Sequence, residues 1–271
     1  LEQIHAHMQQ QGVDALIISS LDEVAWVLNM RGTDVPCNPV FVSYLFTTEQ
    51  HTYLYIDTNK LTAETSQYLQ DNHIEARPYS QIEQDIKDYK GECIQLSPSA
   101  NYRICHTAET YCKIKLPASP VSMMKAIKNE VEIQGFHEAM TRDGVAMTKF
   151  LMWLKDAVKQ GGQTECTIDK KLYELRAEQK LFQGISFETI AGYQEHGAIV
   201  HYEATPETAS DLHPEGLLLL DSVRPYHSRA KKRLHISSER IHRSVDDRIP
   251  CRHMRNSARY HGTSIHVERR N

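Results

Sequence analysis

The sequence predicts a small α/β domain, then an incomplete α+β unit, then a tail with no folding pattern. Three observations carry this. Over residues 1–120, short β-branched or aromatic runs alternate with helical periods. Over residues 121–222, one long amphipathic stretch precedes several strand-like pieces. At residues 221–223, hydrophobic pattern and charge change together.

The elements follow in order. A helix over Glu2–Gln11 stops at Gly12, and "ALIISS" (15–20) reads as a buried strand. "LDEVAWVLN" is a helix with Asp22 and Glu23 in its first turn, where carboxylates suit the N-terminal dipole. "NPVFVSYLFTT" and "HTYLYID" form a predicted hairpin joined by "TTEQ". A polar helix (61–71), the strand "IEARPY", a helix (82–89) and the strand "CIQL" complete this domain.

"LPASPVSMMKAIKNE" (116–130), with two prolines, reads as a linker. Beyond it Ile133, Phe136, Met140, Val145, Met147, Phe150, Leu151, Leu154 and Val158 recur at helical spacing up to Gly161–Gly162, where glycine suits a left-handed cap. A second helix covers 167–179. "SFETIAG" and "GAIVHYE" read as strands around the turn "YQEHG". The turn-rich "TPETASDLHPEG" then leads into a buried strand, "LLLLDS". Trp26, Trp153 and the methionines of the long helix are expected in the core.

Residues 223–271 hold 13 Lys and Arg against 4 Asp and Glu, although the whole chain has a net charge of −4. Their 14 apolar residues are never adjacent, so no face can be buried and the segment is expected to stay disordered. No apolar run approaches the roughly 20 residues of a membrane span, and no signal-peptide pattern opens the chain. Six scattered cysteines without a Cys-x-x-Cys pair favour reduced thiols and a cytoplasmic location.

Taken in register, "LDEVAWVLNMRGTDVPCNPVF", "KAIKNEVEIQGFHEAMTRDGVAMTKFLMWL", "SFETIAG", "GAIVHYE" and "LLLLDS" resemble the aminopeptidase P family, the Xaa-Pro aminopeptidases related to prolidase and creatinase. The resemblance runs over residues 1–222. It implies that 1–120 are a creatinase-type N-terminal domain, the second of two, and that 121–222 begin a pita-bread catalytic domain. The absent start methionine agrees with a first domain missing upstream.

The implied reaction is hydrolysis of the bond before a proline in second position by two divalent metals, manganese in particular, held by two Asp, one His and two Glu. The two Asp should follow "LLLLDS" in a Gly-Gly…Asp-Gly-Thr-Thr-Asp context. Here Ser222 is followed by "VRPYHSRAKKRL", with no such pair. Asp221 precedes the ligand segment, and Asp246 and Asp247 are adjacent in a basic context, so none is taken as a ligand. No metal residue is therefore assigned, and the chain is expected to be inactive with no metal of its own. The abrupt break suggests a reading-frame shift, which sequencing the encoding DNA tests.

His201 in "GAIVHYE" is the one catalytic candidate. The resemblance makes it substrate-facing, able to hydrogen-bond the scissile group or shuttle a proton. His196, in the turn, carries no assigned role. The partners implied are peptides with proline second, with a homodimer left open. Other readings are a non-catalytic association module, a polyanion-binding tail lacking any aromatic stacking platform, and a zinc site at Cys251, His253, His261 and His266 whose spacing matches no common finger. A half catalytic domain would also expose apolar surface, which predicts aggregation of 121–222 while 1–120 folds alone.

Overall fold

The computed structural model describes residues 1–222 and the pair 234–235. The expected disorder of the tail, its frame-shift origin and the cysteine–histidine cluster thus lie outside the described residues, apart from that pair.

A six-stranded mixed sheet organises the first part. In spatial order it runs β5 (Ile74–Pro78), β4 (Thr52–Ile56), β3 (Ser43–Thr48), β1 (Ala15–Ile18), β6 (Cys93–Leu96) and β7 (Lys113–Lys115). β1 is parallel to β6 and antiparallel to β3, with Ile17 opposite Phe46 and Leu96. Both faces are covered, which is why β1 and β6 are buried at every position.

The period of two sorts the side chains. Leu16, Ile18, Leu45, Leu54 and Ile56 face one core, with Ile4 and Met8 of α1 (Glu2–Gln11), Val24 of α2 (Leu21–Val27) and Leu69 of α3 (Ala63–Asp71). Ala15, Ile17, Tyr44, Phe46 and Tyr55 face the other. There they meet Ile82 and Ile86 of α4 (Ile82–Asp88) and Ile104 and Ala108 of α5 (Tyr102–Tyr111).

Several expectations are revised. The strand predicted from residue 38 begins at Ser43, because the Asp34 carboxylate accepts the Val42 amide at 2.7 Å and the Asp34 amide donates to the Val40 carbonyl at 3.2 Å. A short strand, β2 (Met30–Arg31), pairs in parallel with β10 (Leu234–His235), Met30 opposite Leu234. The helix α5 and strand β7 lie where no element was predicted.

The linker reading also gives way: α6 (Pro120–Ala126) fills that segment, with Pro120 in its first turn, where a missing amide donor costs nothing. Val121 is fully buried in the first core, and the hydroxyls of Ser119 and Ser122 donate to the Glu23 carboxylate at 2.6 and 2.5 Å.

The long helix is α7 (Glu130–Gln160), opened by an Asn129–Glu132 capping box. Gly161 ends it at φ 82°, ψ 176°, a positive-φ extended geometry instead of the expected left-handed cap. Its buried face is Gly135, Ala139, Asp143, Ala146, Phe150 and Ala157. Much of the apolar stripe stays outside: Met140 is 58% and Met152 70% exposed, contrary to their expected core position. Trp153 is half-buried against Phe150, and Trp26 is half-buried against the first core.

Next come α8 (Glu165–Ala177), β8 (Ile190–Tyr193) and β9 (Leu218–Asp221), the last two paired antiparallel with Ile190 opposite Asp221. α8 starts earlier than predicted because Thr164 caps it. "GAIVHYE" is not a strand. A 3-10 turn (Gln194–Ala198) leads into a bend that leaves Val200 82% exposed, and no strand among the described residues pairs with it.

Candidate functional site

His201 sits on that bend, exposed, with φ 57° in the left-handed region that non-glycine residues seldom adopt. The next residue, Tyr202, points inward and is only 9% exposed. Its hydroxyl donates to Glu165 Oε2 at 2.9 Å and lies 3.3 Å from the Thr208 carbonyl. His201 is therefore displayed by a loop whose adjacent side chain is fastened to the protein.

The fastening point is Glu165, at the start of α8 and fully buried. Its carboxylate accepts the Tyr193 amide at 2.6 Å, the Ser210 amide at 2.9 Å, the Tyr202 hydroxyl, and His196 Nδ1 at 3.0 Å from both oxygens. These donors come from the end of β8, the 3-10 turn and the loop beyond His201. Burial alone would raise the Glu165 pKa, but the Tyr193 and Ser210 amides, with His196 and Tyr202, outweigh it and hold the group below the usual carboxylate range. Tyr202 is shifted upward by burial and by its bond to that anion.

Backbone geometry lets the turn come this close. A Cβ at Gly192 would lie 2.8 Å from the Gly197 nitrogen, so only glycine permits β8 and the turn to meet there. On the far side, the Leu212 amide donates to the Gln163 carbonyl at 2.7 Å and the Glu165 amide to the Ser210 carbonyl at 3.2 Å.

A second buried charge holds the end of β9. Arg176 is 0% exposed; its Nε donates to Asp143 Oδ1 at 2.8 Å, and its other nitrogens donate to the Ser222 hydroxyl and, at 3.0 Å, to the Ser222 carbonyl. Thr189 Oγ1 is 3.0 Å from the same hydroxyl. The ligand segment implied by the resemblance would begin just beyond this point, outside the described residues.

Among the described residues, no three His, Cys, Asp or Glu side chains gather where they could hold a metal ion, so the residues described do not by themselves fit a metal centre. A cavity of about 640 Å³ opens in the first part, lined by Phe46, Tyr53, Tyr89, Arg77 and Asp85 among others, and none of its lining residues belongs to the His201 region.

Reading the sequence singled out His201 and passed over Glu165, His196, Arg176 and Asp143. A signal was present: Glu165, Ile168, Leu172 and Arg176 lie on one helical stripe, so two charged residues bracket buried positions.

Residues 1–132 match the family described as the Creatinase/Prolidase N-terminal domain, and residues 134–230 match Metallopeptidase family M24. Aminopeptidase P2 of Arabidopsis thaliana is 36% identical over 247 residues, covering 79% of this chain and 35% of that protein. The Xaa-Pro aminopeptidase ApepP of Drosophila melanogaster is 33% identical over 229 residues, covering 82% and 37%. The crystal structure of X-prolyl aminopeptidase from Caenorhabditis elegans, described as a cytosolic enzyme with a di-nuclear active site, superimposes with a TM-score of 0.78. Its identity is 29%, over 83% of this chain and 38% of that one. The chain thus spans little more than a third of the length of these relatives.

Proposed function

Because the chain belongs to the M24 metallopeptidase family and carries its creatinase-type N-terminal domain, we propose that it is a partial Xaa-Pro aminopeptidase. In this reading it supplies the substrate-positioning half of the site, with residues 1–120 as the N-terminal domain and 121–222 as the start of the catalytic one. The observation that carries it is the loop anchored on Glu165. That loop lies in the M24-matched region and holds His201 in a strained, exposed conformation. Such strain persists only where surroundings enforce it and gathers at functional sites.

His201 is the group we assign to face a peptide with proline second, accepting or donating a proton at the scissile bond. In a complete enzyme two divalent ions, manganese in our reading, would supply the attacking hydroxide. The donors for them are not gathered among the described residues, and the sequence after Ser222 has no Asp-x-x-x-Asp pair. The 271-residue polypeptide is therefore assigned no turnover of its own. A cytoplasmic location fits its unpaired described cysteines.

The test is metal analysis and an Xaa-Pro peptide assay on the purified chain with manganese present. The expected result is no product and no stoichiometric metal. Two ions per chain, or release of the first residue, would overturn the assignment.

A second reading, an association module that includes a homodimer, is favoured by exposed Ile127 (72%), Met152 (70%), Val200 (82%) and Leu217 (81%). Analytical ultracentrifugation over a concentration series decides it: a monomer at every concentration rules it out.

A further inference from the structure

Three of the four donors on Glu165 are exhausted by that contact: two backbone amides and a tyrosine hydroxyl. The fourth is an imidazole, which has a second nitrogen. An ionised carboxylate can only accept, so His196 Nδ1, 3.0 Å from both of its oxygens, must carry the proton. In the neutral imidazole the lone pair then resides on Nε2, which is on the far side of the ring and has no hydrogen bond among the described residues. The side chain is 20% exposed, so Nε2 is reachable. The Tyr202 ring lies against it at 4.5 Å between centroids and limits rotation of the ring plane.

We propose that Glu165 and His196 form a carboxylate–imidazole dyad that presents His196 Nε2 as a preset hydrogen-bond acceptor for an N–H group of a bound peptide. The carboxylate sets the tautomer, as a hydrogen bond to one ring nitrogen generally does. The buried amides of Tyr193 and Ser210 set the carboxylate. Glu165 is thus a positioning residue, and His196 is the residue that meets the ligand, five positions before His201 on the same loop. The inference rests on the peptide-binding reading above and adds to it a second recognition point.

The experiment is a long-range nitrogen–proton NMR spectrum of the full 15N-labelled chain, with and without a tripeptide carrying proline second. His196 should show a protonated Nδ1 and a pyridine-like Nε2 whose resonance moves on peptide addition. Tyr202→Phe should preserve that tautomer and Glu165→Gln should mix it. His196→Phe should weaken peptide binding about tenfold, the loss of one hydrogen bond.

A protonated Nε2 in the unaltered chain overturns the dyad, and this holds even if Glu165→Gln does not fold. Peptide shifts at His201 with none at His196 also overturn it while leaving the proposed function intact. Shifts at His196 with none at His201 uphold the dyad and remove the role given to His201.

Discussion

Replacing Lys60 with methionine keeps nearly the same volume and removes one charge from a place that water scarcely reaches. The Asp34 and Lys60 side chains are each 6% exposed, with charged atoms 2.5 Å apart. Asp34 Oδ2 also accepts the Val42 amide at 2.7 Å, so the variant leaves a buried carboxylate with one neutral donor. Breaking a buried pair from one side costs about 3–5 kcal/mol.

Asp34→Leu should cost about as much, since it strands the ammonium and the amide together. The double variant carries no buried charge and keeps only the orphaned amide, a cost of about 1–3 kcal/mol. The two sites should therefore couple by about 6 kcal/mol, the double variant costing far less than the two single variants together.

Urea unfolding followed by Trp26 fluorescence measures this, because Trp26 packs on the first core and Trp153→Phe removes the only other tryptophan. With a slope of about 1.5 kcal/mol/M, a 4 kcal/mol loss moves the midpoint by roughly 2–3 M. Single variants within about 0.5 M of the parent, or a double variant equal to their sum, would refute the reasoning.

Three further outcomes follow from the packing and the charges. Glu165 has its folded pKa below its ordinary 4.5, so its stabilising contribution is present above that value and is lost as pH falls through the folded value. Hydrogen-exchange protection of the Tyr193 and Ser210 amides should accordingly persist through neutral pH, fall on acidification, and be weaker at every pH in Glu165→Gln. Burial, with nearby Asp14, pushes Tyr89 from its ordinary 10 up to about 12, so its contribution to folding is fully present below 10 and is lost as pH rises from there through 12; absorbance titration should show it ionising only with alkaline unfolding. Val121→Ala should cost about 2 kcal/mol and lower the urea midpoint seen by Trp26 fluorescence, and an unchanged midpoint would contradict its burial in the first core.

The first part of the fold was legible because its signals are local and agree with one another. Leu16 and Ile18 alternate with Ala15 and Ile17, and the sheet uses both sets. α5 escaped because Ile104 and Ala108 are its main buried apolar residues and its start signal is one Asn101 side chain accepting the Ile104 amide at 3.0 Å. α6 escaped because a proline that starts a helix looks like one that breaks it. In the candidate site, the motif pointed to His201, while Glu165 and Arg176 were hidden by their charge. Hydrophobic periodicity has no means of reporting that a carboxylate or guanidinium is buried once its partners arrive from 28 to 46 residues away.

The inward face of α7 has a consequence for how the chain drifts under mutation. At Ala139, Ala146 and Ala157 the limit is bulk, since a larger side chain has nowhere to go. Randomising the helix and selecting for folded protein should thus filter by side-chain size along that line. Met140 and Met152 should meanwhile drift freely to polar residues. Over many generations the helix would lose the exposed part of the greasy stripe that advertises it, and keep Phe150 and the row of alanines that few readers would notice.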